Sequence, residues 1–176
     1  MPLNSVCIRQ LKPSDHRLFY ELRMTALETN PESFGATPEE FAAQSLEERQ
    51  RQLNGGDNSF VLGAFLDEKL VGLLGFFRRK GEKLKHKGVI WGVYVLPEAR
   101  RKGLARALLT EALQKCRPLE GLEALLLTVV SSNHSARALY ESMGFATYGQ
   151  EHAALKIGGN PVDEDLMELV LWTNPA

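Results

Sequence analysis

One stretch of nine residues constrains the fold more than any other: Leu122-Glu123-Ala124-Leu125-Leu126-Leu127-Thr128-Val129-Val130. A strand with one wet face alternates apolar and polar residues, whereas a nearly unbroken apolar run marks a strand covered on both faces, as parallel strands are. A parallel neighbour requires a crossover connection, usually a helix. Both parts precede the run. Val89-Ile90-Trp91-Gly92-Val93-Tyr94-Val95 is rich in β-branched and aromatic residues and is stopped by Pro97. From there Leu104, Ala105, Leu108, Leu109, Ala112, Leu113 and Cys116 recur at helical spacing, until Pro118 and Gly121 break the chain. Residues 89–130 therefore read as one βαβ unit with a right-handed crossover.

The flanking chain supplies strands and helices to surround that unit. Val6 to Leu11 is a short strand, and Ser14 or Asp15 caps a helix carrying Leu18, Phe19, Leu22, Met24, Ala26 and Leu27. A loop with two prolines, Asn30 to Pro38, leads to a second helix predicted over Glu39 to Leu53 with a thin apolar stripe. Ser59 to Leu66 and Leu70 to Arg78 form a hairpin about Asp67-Glu68-Lys69, and a lysine-rich connection returns to Val89. After the apolar run come a helix over Ser135 to Met143, stopped by Gly144, and two closing strands. These are predicted over Phe145 to Ile157 and Leu166 to Trp172, joined through Gly158-Gly159-Asn160-Pro161 and Asp163-Glu164-Asp165. The order predicts an α+β fold, an α/β/α-type sandwich: a mixed, mostly antiparallel sheet of about seven strands with the βαβ unit at its centre. No repeat or linker interrupts residues 1–176, which read as one domain.

Composition narrows the function classes. A net charge of −1 gives no general attraction to nucleic acid or to an acidic membrane surface. Cys7 and Cys116 are the two cysteines, and with that spacing no metal site is expected. Met1 to Ser5 has neither a basic n-region nor an apolar h-region, and no apolar run approaches the about 20 residues of a membrane span. A soluble, cytoplasmic protein is the expectation.

The helix that begins at Leu104 starts in an unusual way. Helix starts favour a Ser, Thr, Asp or Asn cap and acids in the first turn, because the free N–H groups carry partial positive charge. Here Arg100-Arg101-Lys102-Gly103 crowds cations onto that end. Two readings are open: a solvated basic turn, or an anion site in which Gly103 lets a ligand approach the backbone. Beyond the apolar run, Asn133 and Tyr140 are seven residues apart and share a helix face. Alone, Asn133 reads as a cap and Tyr140 as a core aromatic. The βαβ topology, however, puts both helix starts at the carboxyl ends of the strands, where ligands of α/β units collect.

These residues also carry a family resemblance. Arg100-Arg101-Lys102-Gly103-Leu104-Ala105 resembles the Arg/Gln-x-x-Gly-x-Gly/Ala loop of the GNAT N-acetyltransferase superfamily. Asn133-x-x-Ala136-x-x-Leu139-Tyr140-Glu141-x-x-Gly144-Phe145 resembles its second motif, and the element order from Cys7 to Trp172 is similar as well. The resemblance implies an acetyl-CoA-dependent N-acetyltransferase acting on a primary amine of a small molecule, a peptide or a protein N-terminus. Backbone amides from Arg101 to Arg106 would hold the pyrophosphate of acetyl-CoA, with Arg100, Lys102, Gly103, Leu104 and Ala105 in the same loop. Val93 and Val95 would pair with the pantetheine arm, beside a strand splayed at a Gly92 bulge. Asn133 would contact the cofactor, and Tyr140 would also protonate the departing thiolate. The amine pocket would be lined by Phe34, Trp91, Tyr94 and the Gly158–Asp165 turn. One departure stands out: Val89 to Val95 has no acid, although several branches of the family place a glutamate there as base. Its absence favours an α-amine, already partly neutral with a pKa of about 7.7–8.0, over a lysine amine at about 10.4, or else a water relay from a residue elsewhere, for which Glu32, His134 and His152 are candidates. A non-catalytic acyl-CoA-binding sensor would keep the loop without needing Tyr140, and homodimerisation through the last strands is compatible with the sequence.

Overall fold

The apolar run becomes β5 (Ala124–Val130), and around it the chain builds one seven-stranded sheet. The computed structural model describes residues 5–171. Met1 to Asn4, part of the stretch read for a leader, and Trp172, the expected end of the last strand, lie outside the described residues. In chain order the strands and helices are β1 (Val6–Gln10), α1 (His16–Thr29), α2 (Pro38–Ala42), α3 (Leu46–Leu53), β2 (Ser59–Leu66), β3 (Lys69–Arg78), β4 (Lys87–Val95), α4 (Leu104–Cys116), β5, α5 (His134–Ser142), β6 (Ala146–Ile157) and β7 (Asn160–Val170). The sheet order is β1-β2-β3-β4-β5-β7-β6. Among the described residues only β4 and β5 pair in parallel; every other neighbouring pair is antiparallel.

Side-chain alternation assigns the layers. Phe76 and Gly75 are consecutive on β3 and so face opposite sides of the sheet. Phe76 stacks on Phe60 at 4.8 Å between ring centres, and Lys115 of α4 lies over Phe60 at 5.3 Å, so α4 covers that face. Gly75 stands opposite Trp91, and a Cβ there would lie 2.0 Å from the indole ring, so the glycine makes room for Trp91 on the other face. Arg23 of α1 reaches over Trp91 from that side. Arg106 of α4 donates to Ser142 Oγ at 2.8 Å and to Met143 Sδ at 3.2 Å, which sets α5 beside α4. The core runs through both layers, from Phe19, Leu22 and Leu27 of α1 through Leu62, Leu73 and Leu74 to Leu108 and Leu109 of α4.

Two expectations need correcting. The helix predicted over Glu39 to Leu53 is two helices, α2 and α3, broken at Ala43–Ser45. Ser45 accepts from the Glu48 amide at 3.1 Å while Glu48 accepts from the Ser45 amide at 2.6 Å, a reciprocal cap that starts a new helix. Thr37 and Glu40 do the same for α2. The second correction concerns the end of the chain. Gly158 and Gly159, with φ of +56° and +84°, form the whole hairpin turn, so Asn160 to Asp165 belong to β7 rather than to a loop. Asp163-Glu164-Asp165 can enter a strand because Asp165, although buried, accepts from Ser131 Oγ at 2.7 Å, Arg137 Nη1 at 3.0 Å and Gln150 Nε2 at 3.2 Å.

Candidate active site

Parallel pairing between β4 and β5 lasts three residues, Lys87 with Ala124, Gly88 with Leu125 and Val89 with Leu126, and then stops. What ends it is a bulge. Gly92 has φ of +64°, a conformation only glycine takes without cost, and the register against β3 shifts between Leu73 and Gly75. Past the bulge the strands diverge and leave a cleft of about 510 Å³. Trp91, Val93, Tyr94 and Val95 form one wall, Leu127 to Val130 the other, and Phe34 and Tyr140 reach in from the sides. The Leu96 amide donates to Val71 on β3, so strand alternation turns the polar groups of Val95 toward the gap.

The start of α4 opens beside this cleft with its own amides unused. Gly103 is the residue before the helix, with φ of +75° and no side chain to cap it, and Arg101 is left-handed as well at +61°. The first helical bond runs from the Ala107 amide to the Gly103 carbonyl, so the amides of Leu104, Ala105 and Arg106 have no intrahelical acceptor. Nothing lies within 4 Å of where a Gly103 Cβ would be. Three amides converging on open space suit a phosphate oxygen.

The side chains expected at this end divide. Arg100 and Ala105 line the cleft together with Val93, Val95, Asn133 and Tyr140. Arg100 is already committed: its Nε donates to the Val95 carbonyl at 3.0 Å and its Nη2 to Asn30 Oδ1 at 3.1 Å. It braces the end of β4 against the loop after α1. Leu104 is buried in the core, and the Arg106 guanidinium is spent on α5. Arg101 and Lys102 are exposed. What this segment offers to a ligand is backbone, with the exposed side chains of Arg101 and Lys102 beside it.

Asn133 takes the cap role and still lines the cleft. Its Oδ1 accepts from the Ala136 amide at 3.2 Å. Arg137, in the first turn of the same helix, is tied to Asp165, which fixes α5 against β7. Two turns on, Tyr140 is 7% exposed and packs edge-to-face on Phe145 at 6.0 Å. Burial pushes its pKa up to about 12, so it keeps its proton throughout the neutral range. A buried phenol lining an open cleft is placed to give a proton to a leaving group.

At the other end, Phe34, Trp91 and Tyr94 do meet. Phe34 and Tyr94 lie 6.2 Å apart, edge to face, and the Tyr94 hydroxyl bonds Thr29 Oγ1 at 2.9 Å. The Gly158–Asp165 segment, expected here, does not line the cleft, because its residues form the hairpin turn and β7. Of the three bases considered, only Glu32 lines it, and it is the only acid that does so among the described residues. His134 is exposed outside the cleft lining, and His152 is exposed against Asp163 at 3.3 Å. One residue the sequence reading passed over lies behind the cleft: Arg23, 9% exposed, its guanidinium 4.6 Å from the Phe34 ring centre and 5.7 Å from that of Trp91. The signal was present, because Phe19, Leu22, Arg23, Ala26 and Leu27 share one helix face. Among the described residues no cluster of His, Cys, Asp or Glu could hold a metal, and no helix is long and apolar enough to cross a membrane.

Comparison with known proteins agrees with this geometry. The chain is 33% identical over 124 residues to mycothiol acetyltransferase of Streptomyces scabiei, covering 69% of this chain and 39% of that protein. It is 36% identical over 85 residues to human N-acetyltransferase 8, covering 48% of this chain and 37% of that protein. The chain thus spans about two-fifths of the length of these curated relatives. An acetyltransferase of the GNAT family from Streptococcus pneumoniae superposes with a TM-score of 0.85 at 26% identity, covering 94% of this chain and 99% of that one. The Salmonella typhimurium protein yncA, solved with its cofactor acetyl-CoA, has the same fold, with a TM-score of 0.82 at 21% identity and 98% of each chain covered. The description of the acetyltransferase (GNAT) family matches residues 19–145, a span that holds the splayed strands, the uncapped helix start and the Asn133–Tyr140 helix. The chain therefore belongs to the GNAT family of acetyltransferases.

Proposed function

We propose that the protein transfers the acetyl group of acetyl-CoA to a primary amine of a small molecule or peptide. The observation that carries this reading is the cleft itself: two strands that part after three paired residues, with a helix start of free amides on one side and a protonated, buried tyrosine within. The amides of Leu104, Ala105 and Arg106 would hold the pyrophosphate, and the open space over Gly103 fits such a group. The splayed edge of β4 would pair with the extended pantetheine arm. Val95 would do so through its N–H, since its carbonyl already accepts from Arg100.

Bound acetyl-CoA supplies an acyl carbon already activated as a thioester, with a thiol as the leaving group. The chain's contribution is largely positioning, together with N–H groups at the bulge that stabilise negative charge developing on oxygen. Tyr140 holds a proton at its hydroxyl and delivers it to sulfur. Glu32, the cleft's carboxylate, accepts the amine's proton directly or through a water. The relatives' names support acetyl transfer as the reaction; the acceptor is not carried over from them, because the chain covers so little of their length.

Incubation with acetyl-CoA and pooled amines, amino acids and peptides, followed by mass spectrometry and thiol release, tests the proposal. An acetylated amine whose formation slows in Tyr140→Phe supports it. Binding of acetyl-CoA with no product from any amine would point instead to a non-catalytic acyl-CoA sensor, and no binding at all would rule out both.

A further inference from the structure

Among the described residues the fold buries two charged side chains, Asp165 and Arg23, and treats them oppositely. Asp165 accepts three hydrogen bonds. Arg23 is different: its Nη1 is fully buried with no partner among the described residues. A guanidinium carries five N–H donors, and burying it without an anion is unfavourable unless something returns the lost hydration. Lying over Phe34 and Trp91 engages the face of the group and gives Nη1 no acceptor. Burial lowers its pKa to about 10, which still leaves it charged at neutral pH.

Its place in the molecule says what is missing. Phe34, Trp91 and Gly92, the residues around the guanidinium, all line the cleft at its acceptor end. Arg23 stands directly behind that lining and packs into the space a Gly92 side chain would take; a Cβ there would lie 3.3 Å from Arg23 Nη1. The planar fork of a guanidinium matches a carboxylate with two parallel hydrogen bonds. We infer that Arg23 anchors a carboxylate of the amine acceptor, which makes the acceptor a free amino acid or close analogue rather than the N-terminus of a peptide. A peptide N-terminus has an amide where the amino acid has its carboxylate, and would leave Arg23 unpaired. Glu32, on the loop after α1, would meet the ammonium of the same molecule and take its proton. The inference rests on the acetyltransferase reading for its chemistry, but the anion site is testable without turnover.

The test compares acids with their own amides. Wild-type protein at saturating acetyl-CoA is given each common L-amino acid and its α-carboxamide, and thiol release is followed. For the preferred acid, kcat/KM should exceed that of its amide by about 10- to 100-fold, the range of a charge-assisted hydrogen-bonded pair. Arg23→Met should erase that ratio by raising KM for the acid, with kcat and acetyl-CoA affinity little changed, and Arg23→Lys should restore part of it. Amides turned over as well as acids, or a ratio that survives Arg23→Met, would overturn the assignment. If Arg23→Met does not fold, the wild-type ratio alone decides. If neither kind releases thiol but another of the pooled amines is acetylated, the acetyltransferase reading stands and the amino-acid acceptor is overturned; if no pooled amine or peptide releases thiol, the acetyltransferase reading itself fails. Calorimetric titration of the same acids and amides into wild-type protein then decides the anion site: binding confined to the acids supports it, and equal or absent binding overturns it.

Discussion

Two helices start beside the same cleft, and they start in opposite ways. α5 opens on Asn133, whose side chain accepts the Ala136 amide and satisfies its first turn from within. α4 opens on Gly103, which has no side chain to offer, follows three cations and precedes a first turn without an acid. A side-chain cap stabilises a helix by about 1 kcal/mol, and an anion at a helix start by ~0.3–1 kcal/mol, up to ~2 kcal/mol when partly buried. α2, α3 and α5 use the first device, each with a side-chain cap. α4 forgoes it where the neighbouring strands part. A capped start is complete in the folded chain, whereas the uncapped start of α4 leaves amides open beside the cleft.

Mutations that exchange the two kinds of start should break this contrast, and the largest effect belongs to Gly103. Gly103→Glu places a carboxylate at a residue with φ of +75° and among the free amides. It should weaken acetyl-CoA binding by on the order of 10²-fold or more, seen as loss of the ligand-induced rise in Tm. The next largest effect tests what α5 contributes besides its cap. Tyr140→Phe should lower kcat by about 10²-fold with acetyl-CoA affinity unchanged. The sign of its pH dependence follows from a folded pKa raised to about 12 against an ordinary 10.0. The folded protein keeps this proton as the pH passes 10, so kcat in a pH–rate profile should show no tyrosine-linked fall below about pH 10. The unfolded chain loses its proton first, so stability should drop as the pH rises from about 10 to 12, by on the order of 2–3 kcal/mol for this group.

Smaller effects sharpen the same contrast. Gly92→Ala forces an L side chain into a left-handed conformation against Arg23, and should cost about 1–2 kcal/mol in denaturant unfolding. Asn133→Ala removes a cap and should cost about 1 kcal/mol, read as a modest fall in Tm, while acetyl-CoA binding suffers far less than in Gly103→Glu.

The α4 end of the cleft was legible in the sequence because local rules write it. A missing cap, a glycine at the right offset and an apolar run are one-dimensional signals, and they led to α4 and β5, while the bulge at Gly92 came with the family resemblance. Elements that depend on long-range partners were harder to read. The acids at Asp163–Asp165 look like a loop until Ser131, Arg137 and Gln150 surround Asp165. Arg23 looks like a surface residue until α1 turns it toward Phe34 and Trp91, the latter 68 positions along the chain. The break at Ser45 was written locally, as Ser45-Leu46-Glu47-Glu48, but a continuous polar helix pattern masked it. The α4 end of the cleft is written by neighbouring residues and the Phe34–Trp91 end by side chains of distant elements, so sequence reading reached the first before the second.

Amide hydrogen exchange in the wild-type protein, with and without acetyl-CoA, tests the contrast most directly. The amides of Leu104, Ala105 and Arg106, which lack an intrahelical acceptor, should exchange fast in the free protein and slow strongly when acetyl-CoA is added. The Ala136 amide, already held by Asn133, should change little. Equal protection at both helix starts, or none at α4 in the presence of saturating acetyl-CoA, would contradict the assignment of the α4 start as the place where the donor is held.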